Sequence, residues 1–377
     1  MKKKNNKKKF LDELGLIVNI VLTAIVTVFC IILTENLTSL YPDNEEILFL
    51  FLALIILYIG IYLQTIIHEA GHLIFGLISG YKFSSFRIGS IMILKNKKGF
   101  KLKTLTLSGT GGQCLMTPPE PVDDQIPVIL YNFGGAILNI ITSIIFLILF
   151  ILFKDNAIVA YIFEIFAIFG LYFAALNGIP MKMGIINNDG FNAISLSKNK
   201  EAQRAFWIQL KTNELLTNNT RIKDLPKEWF TLPKDADLNN PMIITLAVYE
   251  CNKLIDEHEF KKANKKMEEL LKKETAIVGL HKNLLICDRI YCELLEGNIE
   301  QAKKLYNTEQ KKFMDSMKNY PSVIRTNYAI ALLMDKDKKT ADNYLKLFRK
   351  RRKTYPYPSD MKSERELISI ATNFSKN

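Results

Sequence analysis

Four long apolar runs, at 15–34, 47–80, 125–153 and 157–181, dominate the first half of the chain, whereas beyond about residue 195 charged and apolar positions mix as in a soluble helical domain. Each run reaches the ~20 residues that a helix needs to cross a bilayer core of roughly 30 Å. As one helix the second run would be about 50 Å long at 1.5 Å per residue, which leaves an interfacial or broken segment at its start. Between the second and third runs, 83–94 and 100–107 are rich in β-branched and aromatic residues and flank Lys95-Asn96-Lys97-Lys98-Gly99, a β-hairpin signal. The stretch Gly109-Thr110-Gly111-Gly112-Gln113-Cys114 reads as a further flexible or strand segment.

From about Pro241 a weak repeat appears. Ala263, Ala302 and Ala341 recur every 39 residues, each opening a helix after a polar turn (His258-Glu259, Gly297-Asn298, Lys336-Asp337), with Ile255, Leu294 and Leu333 in register upstream. Small residues at fixed spacing let paired helices pack closely, so the segment resembles a tetratricopeptide-like array, with a period longer than the standard one. The fold class expected is therefore mostly α: a polytopic membrane protein with about four transmembrane helices, a small β-hairpin element and a cytoplasmic tetratricopeptide-like domain. Its parts are a basic tail (1–14), a membrane domain (15–195), a linker (196–240) and a helical-repeat domain (241–377).

Charge sets the expected orientation. The tail carries six lysines, and the loop after Gly80 carries Lys82, Arg87, Lys95, Lys97, Lys98, Lys101 and Lys103, whereas 35–46 has no Lys or Arg. By the positive-inside rule the tail, that loop and the carboxy-terminal half face the cytoplasm of a plasma-membrane protein. The first apolar run is too long for a signal-peptide core and no small-residue cleavage site follows it, so it reads as a retained anchor. The net charge of +12 is explained by topology and anionic lipid, with no nucleic-acid partner expected. The five cysteines form no C-x-x-C pair, and reduced thiols are expected.

The chemistry lies in His68-Glu69-Ala70-Gly71-His72, an H-E-x-x-H pattern inside the second apolar run. On a helix, His68 and His72 at i,i+4 share one face and can grip one Zn²⁺, while Glu69 stands beside them to deprotonate a water. With the helix ending near Gly80, His72 lies about 12 Å and His68 about 18 Å below the inner boundary. Ionisable residues at such depth mark a functional site or a water-filled cavity. A catalytic zinc takes a third protein ligand, and Asp189 is the best candidate, following the helix-breaking Asn177-Gly178-Ile179-Pro180. The chain must then double back through an unwound or re-entrant turn near Gly184; the alternative makes Asp189-Gly190 an ordinary turn.

These residues resemble the site-2 protease family of intramembrane zinc metalloproteases, in which H-E-x-x-H is paired with a later N-x-x-P followed by D-G. Asn177, Pro180, Asp189 and Gly190 match in order, although eight residues part Pro180 from Asp189, more than in the commonest form. A further family feature, a glycine-rich start with a downstream asparagine, stands as Gly134-Gly135-Ala136-Ile137-Leu138-Asn139. The resemblance covers 47–195 and implies Zn²⁺ held by His68, His72 and Asp189, with Glu69 as general base. It also implies a substrate that is itself a membrane helix, a signal-peptide remnant or a pheromone precursor. Asn139 and Asn177 either hydrogen-bond substrate or only join helices, and the hairpin either pairs with an unwound substrate or is structural. Glu164, in the fourth run, reads as a bundle-facing acid away from the metal; His258 and His281 read as surface or packing residues. The helical domain either captures a peptide or protein partner or caps the protease. A silent receptor built on that domain and a metal transporter are the rival functions; an intact Glu69 opposes the first and the scarcity of polar residues along the spans opposes the second.

Overall fold

In the computed structural model, residues 2–107, 110–183, 186–273 and 275–375 are described. The chain divides into two compact units, one of Met1–Phe83, Gly111–Cys114 and Pro119–Lys200, the other of Ser84–Thr110, Leu115–Pro118 and Glu201–Asn377.

The first unit is built on α1 (Lys2–Thr38), α2 (Glu46–Ile78), α3 (Val128–Leu152) and α4 (Ala157–Gly178), each with a stretch long and apolar enough to cross a membrane. The protein is a membrane protein with an inside-out residue pattern. On α2 the side chains facing neighbouring helices are Ala53, Ile56, Gly60, Gln64, His68, Gly71, His72 and Gly76, a stripe recurring every three or four residues, whereas Leu48, Phe51, Ile55 and Ile59 point outward. Apolar side chains gain nothing by leaving lipid, so the interior is left to small and polar residues that pack closely or hydrogen-bond. Of the interfacial or broken start expected for the second run, the broken form is absent: α2 is one continuous helix of 33 residues. After Gly178 the chain forms a two-residue antiparallel ladder, Lys182–Met183 against Ile186–Asn187, and enters α5 (Asp189–Ser197). Gly184, where the turn was expected, lies outside the described residues.

The β element is larger than a single hairpin. The expected strand 83–94 is two strands, β1 (Lys82–Ile88) and β2 (Ile91–Asn96), folded at Gly89, whose positive φ of 57° interrupts the β-branched run. With β3 (Gly99–Thr104) and β4 (Gly112–Thr117) they form a sheet of order β3-β2-β1-β4, antiparallel at β1/β2 and β2/β3. Thus 112–114 belongs to a strand, while Gly109 is outside the described residues.

The second unit continues with α6 (Lys200–Thr217), α7 (Lys227–Phe230), α8 (Pro241–Asp256), α9 (Phe260–Lys272), α10 (Gly279–Leu295), α11 (Ile299–Leu305), α12 (Thr308–Ser316), α13 (Pro321–Ala329, prolonged by a π-turn to Met334), α14 (Lys338–Thr354) and α15 (Pro358–Phe374). Helices α9, α11 and α14 begin 39 residues apart, and each is preceded by a left-handed residue in the same register: His258 (φ 63°), Gly297 (77°) and Lys336 (57°). Ala263, Ala302 and Ala341 are buried one turn later, where a larger side chain would part the helices. The sequence period is therefore a period of backbone conformation. Within 196–240, α6 buries Phe206, Ile208 and Leu210. All five cysteines are free and buried.

Candidate metal centre

His68 and His72, one turn apart on α2, direct their Nε2 atoms at one another (3.2 Å) and at Asp189 Oδ2 (3.0 and 3.3 Å). Asp189 reaches them from the first turn of α5. The loop that returns it is clamped by Asn188, whose Oδ1 accepts from the Met181 and Phe191 amides and whose Nδ2 donates to the Leu176 and Ile179 carbonyls. One side chain thereby ties the end of α4 to the start of α5.

Both imidazoles are oriented from behind. His68 Nδ1 lies 2.9 Å from Asn139 Oδ1, and His72 Nδ1 lies 2.8 Å from the Tyr131 carbonyl. The Asn139 amide is itself fixed, since its Nδ2 donates to Gln64 Oε1 (2.7 Å) while Gln64 Nε2 donates to the Phe166 carbonyl (2.8 Å). Asn139 therefore presents an oxygen to His68, and both Nδ1 atoms carry the proton as donors. In neutral imidazoles that leaves two Nε2 lone pairs and a carboxylate oxygen facing one another, an arrangement that repels unless a cation joins them.

The fit to zinc can be tested on the triangle itself. Bonds of about 2.0–2.1 Å in a tetrahedral site imply ligand–ligand edges of roughly 3.3 Å, close to the 3.0, 3.2 and 3.3 Å observed. Two nitrogens and one carboxylate oxygen are also a donor set that zinc takes in catalytic sites.

The α2/α3 crossing explains the glycines. A Cβ on Gly135 would stand 2.4 Å from the His68 ring, and one on Gly71 would stand 2.2 Å from the Gly134 carbonyl, so this crossing admits no side chain. Asn139, one turn after Gly135, then comes level with the same ring. Glu69 is buried beside the histidines and accepts a hydrogen bond from the Cys114 amide. The backbone of Gly112 lies against it, and a Cβ there would be 2.6 Å from Glu69 Oε1.

Of the sequence-derived residues, His68, His72 and Asp189 come together, with ligating atoms all within 4.8 Å of one another. Asn139 supports His68. Asn177 instead turns back on its own helix, donating to the Phe173 carbonyl at 3.0 Å. Glu164 is half-buried on α4 and outside the cluster. Gln64, Asn188 and the Tyr131 carbonyl were not anticipated. Gln64 and Asn188 had a signal: a glutamine one turn before His68 on a lipid-like helix, and an N-cap asparagine directly before Asp189. A main-chain carbonyl has none.

No curated protein and no solved structure matches the chain. The model of peptidase family M50, however, matches residues 55–335, roughly three-quarters of the chain, a span that begins on α2 ahead of the motif and includes every residue of the metal centre. The chain thus belongs to peptidase family M50, the site-2 protease family of intramembrane metalloproteases.

Proposed function

We propose that the protein is a zinc-dependent endopeptidase of the site-2 type that cleaves a membrane-embedded helix or a signal or pheromone precursor peptide. The observation that carries this reading is the convergence of His68 Nε2, His72 Nε2 and Asp189 Oδ2 while both Nδ1 atoms are already engaged as donors. Bound there, zinc would supply a Lewis acid that polarises the scissile carbonyl and acidifies water. Glu69 takes the proton from the attacking water and passes it to the leaving amine. Asn139 and the Tyr131 carbonyl hold the rings in the ligating tautomer.

A substrate helix must be unwound before its carbonyl is accessible, and β4 supports a route. It is an edge strand of the sheet, and its first residue, Gly112, touches Glu69. The basic tail and the basic loop 82–103 support a cytoplasmic placement of both in a plasma membrane. The 39-residue register of αL turns and buried alanines supports a tetratricopeptide-like array for the helical unit, a form suited to a protein or peptide partner.

The test is metal content and cleavage on protein purified in detergent. His68→Ala and Asp189→Ala should each lose zinc, whereas Glu69→Gln should keep zinc and fold but lose cleavage of a membrane substrate. Zinc retained in Asp189→Ala, or cleavage retained in Glu69→Gln, would overturn the assignment.

A further inference from the structure

The helical unit contains a cavity of about 260 Å³ that plays no part in the proposed peptide hydrolysis. Its wall is built from α8 (Tyr249, Asn252, Asp256), α10 (His281, Asp288), α15 (Asp360, Glu364) and the segments leading into α13 and α15 (Tyr320, Tyr355, Tyr357). Four acids and four tyrosines line it, and among the described lining residues there is no Lys or Arg.

The charges behind this wall do not balance. Arg325, fully buried and stacked 4.5 Å over Tyr291, is shared between Asp288 and Glu364. Arg221 is shared between Asp256 (2.5 Å) and Glu366 (2.6 Å). Two guanidiniums thus serve three buried carboxylates, Asp256, Asp288 and Glu364, and the more exposed Glu366, which His258 also approaches at 3.6 Å. Asp360 is a fifth, accepting hydrogen bonds from Tyr355 and Ser359. Burial, with Glu364 and Asp256 nearby, pushes its carboxyl up to about 7. An excess of desolvated negative charge is costly, and a ligand of opposite charge relieves it.

The remaining chemistry narrows the ligand. Tyr355 meets Tyr320 and Tyr357 edge to face, at 6.2 and 5.7 Å between centroids, so aromatic rings stand beside the acids as they do around organic cations. The His281 ring lines the cavity, and its Nδ1 is shut away from solvent with no hydrogen-bond partner, an orphan that a bound polar group would satisfy. A metal ion does not fit. Among the described residues the one trio of closely converging ligating atoms is that of His68, His72 and Asp189. The volume lies just below the roughly 300–1,000 Å³ of sites for drug-sized molecules, enough for one side chain or a small amine.

We propose that this cavity binds a small organic cation, an alkylammonium or guanidinium carried by a free amine or by a basic residue of a peptide, with Asp360 as its counter-ion and the tyrosines around its charged head. The proposal stands apart from the metal centre and does not depend on it.

The experiment titrates the full chain in detergent micelles, at about pH 8 so that Asp360 is ionised, with three probes: cadaverine, the amino-acetylated peptide Ala-Lys-Ala, and the same acetylated peptide with norleucine for lysine, whose only possible ammonium has been removed. The expected result is a Kd on the order of 1 mM or tighter for at least one amine probe, with roughly tenfold weaker binding of the norleucine peptide and a similar loss in Asp360→Asn. Cadaverine binding as tightly as Ala-Lys-Ala would identify a free amine as the source; binding of the peptide alone would identify a basic side chain. Failure of both amine probes, norleucine binding equal to lysine, or undiminished binding by folded Asp360→Asn would overturn the proposal. The lysine–norleucine comparison uses the unaltered protein and stands whatever the variant does to folding.

Discussion

Asn139 Oδ1 and His68 Nδ1 are 2.9 Å apart, and the two Asn139 amide protons are directed at Gln64, so the asparagine has only an oxygen to offer the histidine. Metal ligands lose affinity by about 10–100-fold when such outer partners are removed. Asn139→Leu should weaken zinc binding within that range, measured by competition with a chelator on purified protein. Gln64→Leu should lose less, because it frees the Asn139 amide to turn without deleting the acceptor. Unchanged affinity in Asn139→Leu would show that the ring is oriented by other means.

Gly112 and Gly111 make a matched pair. A Cβ at Gly112 would stand 2.6 Å from Glu69 Oε1, whereas one at Gly111 would meet only Thr65 Cγ2, at 3.6 Å. Gly112→Ala should displace the carboxylate and slow cleavage of a membrane substrate by about 10²-fold, the range for loss of a positioned base, while zinc content stays unchanged. Gly111→Ala should retain activity. Equal rates for the two variants would mean that Glu69 tolerates displacement.

The histidines and Glu69 are legible in the sequence because their spacing is a property of one helix, which no tertiary contact has to supply. Asp189 is legible through chemistry, as the acid after a helix-breaking segment, but the path that returns it is not: it depends on a short β ladder and on hydrogen bonds from Asn188 to backbone groups. Phe83–Leu94 misled because its composition suits one strand throughout, and the fold at Gly89 costs a glycine too little to leave a mark in the pattern. The helical repeat was visible through three alanines, yet the cavity was not. Its wall comes from helices far apart in the chain, and a deficit of buried positive charge becomes apparent only when Arg221 and Arg325 are seen with their partners.

Asp360 gives the helical unit a pH dependence of definite sign. Its folded-state carboxyl titrates at about 7 against an ordinary 3.8, so the folded form holds its proton more tightly than the unfolded form does. The associated stability is fully present below about pH 4 and is lost as pH rises through about 7. Asp360→Asn, which cannot ionise, should therefore unfold a few degrees above wild type at about pH 8, and the advantage should shrink toward pH 4. Thermal unfolding of the full chain at both pH values checks this. A gap that grows on acidification would reverse the sign and remove Asp360 as the source.

Arg325 tests how the buried charges share the load of folding. It is enclosed completely and holds Asp288 and Glu364 together between α10 and α15, with Thr326 Oγ1 accepting from a third edge of the guanidinium. Removing one member of such a set strands its partners, which typically costs about 3–5 kcal/mol, whereas replacing the whole set with apolar groups of similar volume is often neutral. Arg325→Met alone should therefore lower the unfolding midpoint sharply, more than Arg325→Met combined with Asp288→Leu and Glu364→Leu. Ligand-binding assays on the triple variant should also fail, since two of the cavity's four lining acids are gone. A single variant as stable as wild type would mean that water reaches the two carboxylates and that the cavity is wetter than its lining implies.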